Sequence, residues 1–215
     1  MNALMDVLNL PLFTFYGAAY PTTLAEALAF VTGALCVWLV ARQHIANWGI
    51  GIANCLLFIL IFTDSGLYAD AGLQLVFIAL GAYGWWNWVK GGPDADTLPV
   101  SRTGRTEWTG LIGAGLLGLA AIALLLATAT DSTVPFWDAL TTVLSLLATY
   151  GQCRKRVESW YLWIAADIVY VPLYAYKGLY LTSILYIGFM ALCVVGLRAW
   201  RRDLHTRTAP AEAAA

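Results

Sequence analysis

Apolar residues gather in seven stretches along the chain, at about 22–41, 45–63, 69–89, 109–128, 135–152, 158–176 and 179–199. At a rise of about 1.5 Å per residue, a helix of that length crosses most of a hydrocarbon layer about 30 Å thick. The breaks between stretches are short except Lys90–Glu107, where Gly91-Gly92-Pro93, Asp94 and Asp96 make a polar loop. The pattern predicts an all-α integral membrane protein with seven transmembrane helices. Residues 1–21 read as an N-terminal interfacial segment, and the chain from Arg201 to the end as a disordered tail.

The seven stretches are not independent. Trp48 and Trp160 lie 112 residues apart, and so do Gly66-Leu67-Tyr68 and Gly178-Leu179-Tyr180. The same offset, without gaps, aligns Arg42 with Arg154, Phe77 with Phe189, Gly84 with Gly196, and Trp88 with Trp200. Shared tryptophans and a shared Gly-Leu-Tyr argue for duplication beyond the similarity that any two apolar segments show. Helices one to three (22–89) therefore repeat as five to seven (135–200), with 90–134 holding the loop and linker helix four. Repeats that start four spans apart enter from the same side, so they are expected to be parallel, related by an axis along the membrane normal. A translocation path is expected on that axis.

Charge orients the arrangement. All Lys and Arg except Lys177 fall on one side: in the first-to-second, third-to-fourth and fifth-to-sixth connections and at the C-terminal end. The positive-inside rule then puts the N-terminus outside and residues 201–215 in the cytoplasm. Composition agrees, with 60% hydrophobic residues, 12% charged residues and a mean hydropathy of +0.71, which excludes a soluble domain. Cys36, Cys55, Cys153 and Cys193 stand singly in apolar segments, without metal-ligand spacing or a disulfide framework. Residues 1–20 contain no Lys or Arg, so the basic start of a cleavable signal peptide is missing.

Against this apolar background one acid stands out. Asp167 lies about 13.5 Å along helix six from Glu158, close to half the depth of the hydrocarbon. A lone carboxylate there costs at least about 2.5–3.5 kcal/mol, so it faces a partner or a water-filled cavity. At about 100° per residue, Trp160, Trp163, Asp167, Tyr170 and Tyr174 share one stripe. A negative charge between aromatic faces attracts a planar organic cation by ion pairing, stacking and cation–π contact. The competing reading is structural, with the aromatics as packing residues and Asp167 paired to a neighbouring helix.

Other polar groups fall on stripes that can converge. Helix five carries Asp138, Thr142, Ser145, Thr149 and Gln152; helix three carries Gln74; helix seven carries Thr182 and Tyr186. Serine and threonine hydroxyls can bond to their own helix carbonyls, whereas Gln74 and Asn54 need outside partners in hydrocarbon. Glu26 and Asp138 read better as helix caps than as a proton or sodium site, since Thr23-Leu-Ala-Glu26 is a capping box and Asp138 follows Pro135. Gly110, Ala114 and Gly118 offer a small-residue face on helix four.

Three motifs carry a family likeness. Gly84-Trp85-Trp86-Asn87-Trp88, Glu158-Ser-Trp160-Tyr-Leu-Trp163-Ile with Asp167, and Lys177-Gly-Leu-Tyr-Leu-Thr182-Ser-Ile-Leu-Tyr186 resemble the bacterial PnuC family of nicotinamide riboside transporters. The resemblance covers almost the whole seven-span region. It implies a SWEET-like fold, a homotrimer in the lipid bilayer of the bacterial inner membrane, and a vitamin site at the midplane. It also implies facilitated diffusion, with phosphorylation by a cytoplasmic kinase trapping the substrate. Carried over to this sequence, the substrate-binding residues are Trp160, Trp163, Asp167, Asn54, Gln74 and Tyr186, joined by Trp48 and Asn87. An amide is the family expectation at the Asp167 position in some riboside carriers, so the acid leaves nicotinamide riboside and thiamine, both planar cations, as alternatives.

Other classes fit less well. A retinal photoreceptor needs a lysine inside its last span, and Lys177 precedes it. An intramembrane enzyme needs a nucleophile or metal set, and the two histidines, His44 and His205, sit near helix ends. A SWEET-like sugar transporter has the right architecture, but the central acid argues against a neutral substrate. The sequence thus points to a small-molecule carrier with no cofactor, no metal, no nucleic-acid partner and no enzymatic activity.

Overall fold

The computed structural model describes residues 6–8, 10–13, 22–64, 68–92, 97–130, 133–176 and 180–212. Seven long helices make up most of them: α1 (Leu24–Ala41), α2 (Ala46–Asp64), α3 (Tyr68–Lys90), α4 (Arg105–Ala129), α5 (Pro135–Cys153), α6 (Ser159–Tyr176) and α7 (Tyr180–Glu212). A short hairpin, β1 (Pro11–Phe13) against β2 (Thr22–Thr23), leads into α1, and the Leu10 carbonyl accepts the Leu24 N–H at 3.0 Å. Most of the expected interfacial segment lies outside the described residues, as do Gly66-Leu67, Lys177-Gly178-Leu179 and the side chain of Glu26.

Among the described residues, Ala46–Thr63, Arg105–Ala129 and Thr182–Thr206 are long and apolar enough to cross a membrane, and Ala27–Ala41 is a shorter apolar helix. The apolar runs of α3, α5 and α6 are broken by Gln74, Gln152 and Asp167, which line an internal cavity. Helices α1, α2, α3, α5, α6 and α7 pack side by side into a closed ring, with α1 against α7, and α4 lies outside against α5.

The ring is stapled at one end. There the α1–α2 and α5–α6 connections have the same geometry. The Gln43 N–H bonds the Val40 carbonyl at 2.9 Å and His44 bonds Leu39 at 2.9 Å; Lys155 bonds Gln152 at 3.0 Å and Arg156 bonds Gly151 at 2.8 Å. Gln43 and Lys155 both adopt positive φ, 54° and 47°, the left-handed residue that ends a helix in a Schellman-type turn. The tryptophans beside these turns follow suit. Trp48 meets Trp88 edge to face at 5.3 Å, and Trp160 meets Trp200 at 5.4 Å, both at 86°. Each ring lies on a glycine: a Cβ at Gly84 would run into Trp48, and one at Gly196 into Trp160. Trp88 Nε1 donates to the Gln152 carbonyl at 2.8 Å, while Trp200 Nε1 donates to the Val40 carbonyl at 3.1 Å. These bonds cross between the two halves of the ring, and the main buried apolar cluster forms around them.

Two expectations need correction. Residues 202–212 are not a disordered tail, because α7 continues to Glu212. Trp200 is fully buried, Leu204 packs on the same cluster, and Asp203 Oδ2 accepts from Gln43 Nε2 at 3.3 Å, so the helix has tertiary partners as far as Leu204. The described end of the polar loop, residues 97–107, is tied to the α5–α6 turn. Ser101 bridges to the α5–α6 turn through Ser101 N to Lys155 O and Val157 N to Ser101 O, both 3.0 Å, and Glu107 pairs with Arg156 at 2.8 Å. On α4 the close approach to α5 comes at Gly115 and Gly118, facing Leu147 and Val143, and not at Gly110. Asp138 does occupy the first turn of α5, behind Pro135.

Candidate functional site

A cavity of about 580 Å³ occupies the middle of the ring, within the usual span for small-molecule sites of about 300–1,000 Å³. All six ring helices line it. Its wall follows the 112-residue offset: Gly33 and Ser145, Val37 and Thr149, Trp48 and Trp160, Gly51 and Trp163, Cys55 and Asp167, Phe58 and Tyr170, Phe62 and Tyr174, Gln74 and Tyr186 all face it in pairs. The two halves differ in chemistry. Gln74 and Asn54 are the polar groups that α2 and α3 contribute mid-wall, whereas α5, α6 and α7 supply Ser145, Thr149, Asp167, three tyrosines and Thr182.

Asp167 is buried, and among the described residues its carboxylate has no ion pair. Its described hydrogen-bond partner is the Cys193 thiol, which donates weakly to Oδ2 at 3.7 Å. From the neighbouring helix α7 the carboxylate thus meets a thiol and, among the described residues, no cation. A negative charge in this surrounding leaves room for a positive group on a ligand.

The other expected residues divide. Trp163 is half-buried on the cavity wall, and its Nε1, like those of Trp48 and Trp160, is buried without an acceptor among the described residues. Trp160 lies at the cavity margin but is fully buried, packed against Gly196 and Trp200. Trp48 is placed the same way against Gly84 and Trp88. Asn54 turns its amide NH₂ onto α1, to the Ala29 carbonyl at 3.1 Å and Thr32 Oγ1 at 2.7 Å, which leaves its carbonyl oxygen for the cavity. Gln74 and Tyr186 line the same space. Asn87 does not: its Nδ2 donates to the Cys153 carbonyl at 2.8 Å and ties α3 to the end of α5.

The cavity also contains groups outside that candidate set. Tyr170 and Tyr174 line it, as the stripe they share with Asp167 foreshadows. So do Phe58 and Phe62, which that stripe could reveal only through the repeat offset. Of the polar track on α5, Thr142 and Thr149 bond back to the Asp138 and Ser145 carbonyls at 2.8 and 2.7 Å, the self-satisfied arrangement open to any helical threonine.

A family model described as "Nicotinamide mononucleotide transporter" matches residues 23–202. The chain belongs to this family. It is a multi-pass membrane transporter. Within the family's reach it is similar to the nicotinamide riboside transporter PnuC of Escherichia coli (strain K12), 28% identical over 213 residues that cover 87% of this chain and 89% of that protein. It is also similar to the riboflavin/roseoflavin transporter RibM of Streptomyces davaonensis, 32% identical over 186 residues covering 83% and 87%. Among solved structures, the crystal structure of the vitamin B3 transporter PnuC superposes with a TM-score of 0.66 at 23% identity, over 85% of this chain and 82% of that one. The family's transport fold is therefore the one built by these helices.

Proposed function

We propose that this transporter carries nicotinamide riboside across the bacterial inner membrane by facilitated diffusion, with phosphorylation by a cytoplasmic kinase trapping the product. The observation that carries the reading is Asp167, a buried acid without an ion pair among the described residues, on the wall of an aromatic cavity. A pyridinium ring supplies the missing charge and a flat face for Trp163. The names of the PnuC relatives point the same way.

The architecture proposed with it is seven spans arranged as two parallel repeats, α1–α3 and α5–α7, with α4 as linker and the pathway on the axis between them. Paired lining residues and the reciprocal tryptophan bonds support this arrangement. The basic connections support an external N-terminus and a cytoplasmic C-terminus. A homotrimer is the assembly proposed. It is supported by α4, whose side chains include none that are buried within the single chain, as suits a helix that meets lipid or another subunit.

A second reading, flavin transport, is favoured by the similarity to RibM and by the apolar aromatic wall of Phe58, Phe62 and Phe77. It gives the Asp167 charge no counter-ion, because riboflavin is neutral. Calorimetric competition among nicotinamide riboside, thiamine, riboflavin and a neutral sugar on the purified protein tests the choice. Tightest binding of the riboside supports the first reading, and preference for riboflavin or the sugar contradicts it.

A further inference from the structure

Outside the ring, α4 and α5 leave an apolar groove of about 230 Å³ between them. Trp108, Ile112 and Leu119 of α4 and Leu140 and Leu147 of α5 line it, and Leu162 of α6 completes the wall. From Trp108 to Leu119 the lining runs about 16.5 Å along α4, close to half of a hydrocarbon layer about 30 Å thick. The groove is one leaflet deep.

Both rows that form it end in arginine. At about 100° per residue, Arg105 shares a face of α4 with Trp108, Ile112 and Leu119. On α5 the row Leu140, Leu144 and Leu147 runs on to Arg154, which caps that helix. These ends lie together, because Glu107 pairs with Arg154 at 3.4 Å and with Arg156 at 2.8 Å. The second acid here, Glu158, accepts from the Thr103 N–H at 2.9 Å and from its hydroxyl at 3.0 Å. Arg102 and Arg105 are exposed and, among the described residues, have no ion pair. An excess of positive charge therefore remains at one mouth of an apolar groove.

We propose that this groove binds an anionic phospholipid, one acyl chain lying between α4 and α5 and the phosphate held by Arg102 and Arg105. Each part of such a ligand answers a feature of the site. Guanidinium forks pair with phosphate oxygens, and basic pockets beside membrane helices select acidic headgroups. Trp108, one turn inside Arg105, stands where an indole meets the boundary between headgroup and chain. A second subunit's helix packed along the 25 residues of α4 would span both leaflets and gain nothing from the arginines. Leu117 and Leu124, on the opposite face of α4, remain exposed for the subunit contact proposed above. The bias of basic residues to one side of the membrane does not by itself place them on the two rows of the groove.

The test is thermal unfolding of the purified chain in detergent, titrated with dioleoylphosphatidylglycerol, dioleoylphosphatidylcholine or glycerol 3-phosphate. Phosphatidylglycerol should stabilise wild type at concentrations where the other two do not. Arg102→Gln/Arg105→Gln should weaken its apparent affinity by about 30-fold, at about tenfold or less per arginine. Arg201→Gln/Arg202→Gln removes the same charge from exposed positions on α7 and should leave that affinity within about threefold. Ile112→Trp fills the groove from an exposed position and should abolish the preference for phosphatidylglycerol with every arginine in place. Equal stabilisation by the two lipids, or equal loss in the α7 variant, overturns the site in favour of unselective lipid or diffuse charge. Stabilisation by glycerol 3-phosphate as strong as by the lipid overturns the acyl groove. A change of oligomeric mass in Ile112→Trp with unchanged lipid affinity assigns the groove to a second copy and also overturns it.

Discussion

Lys155 Nζ donates to Gln43 Oε1 at 3.2 Å, and the two residues are 112 positions apart in the chain. Each is the other's counterpart under the offset that aligns the two halves of the sequence, and each has a left-handed backbone. A residue touches its own counterpart only where the halves face one another. Lys155 is buried there, with its ammonium 4.6 Å from the Trp88 ring centroid, and Gln43 reaches on to Asp203 of α7. The contact ties both halves to the extension of the last helix beyond Trp200.

This junction separates backbone from side-chain effects. Lys155→Ala removes a desolvated cation–π contact and a hydrogen bond, a loss of about 2 kcal/mol or more, and keeps the left-handed strain. Lys155→Gly loses the same contacts but relieves about 1 kcal/mol of that strain. Thermal unfolding in detergent should therefore rank wild type above Lys155→Gly, and Lys155→Gly above Lys155→Ala. The reverse order of the two variants contradicts the positive-φ assignment.

The glycines under the tryptophans give a second test. Gly84→Ala and Gly196→Ala each push a methyl into an indole and should cost about 1–3 kcal/mol. Adding Trp160→Phe should recover part of the loss for Gly196→Ala but none for Gly84→Ala. Equal rescue of both would show that the two pockets are not separate.

Orientation can be checked by labelling. A tag after residue 215 should be protected from impermeant reagent in intact cells, while one at residue 2 reacts. An accessible C-terminal tag reverses the proposed topology.

Energetics follows from reading Glu26 and Asp138 as helix-end residues. Collapsing proton and sodium gradients should leave initial uptake into vesicles unchanged. Gradient-driven accumulation of unmodified vitamin would make those two acids coupling residues.

The helices were legible because apolar runs punctuated by Arg42, Lys90 and Arg154 give the same boundaries as the hydrogen bonds do, to within a few residues. The end of α7 was not legible. Its Arg, Asp and Thr residues read as solvated, and only the three-dimensional approach of Gln43 and the buried Trp200 explains their helix. Trp160 and Asn87 show the limit for side chains. The stripe puts Trp160 beside Asp167, but a space 36 residues away at Gly196 receives its ring, and Asn87 is committed to a carbonyl of α5. The aromatic neighbours of Asp167 on α6 needed only helical periodicity, and so were readable beforehand.

The central claim is that the Asp167 carboxylate holds a cationic ring. Asp167→Asn keeps shape and hydrogen bonding, removes the charge and lowers the cost of membrane burial, so the fold should survive. The decisive measurement is calorimetric binding of nicotinamide riboside and of its neutral reduced analogue to wild type and Asp167→Asn. Loss of a desolvated charge contact costs about 2–5 kcal/mol, about 30- to several thousand-fold in affinity, and should fall on the cation far more than on the neutral analogue. An Asp167→Asn variant that binds the cation as tightly as wild type does would contradict the account.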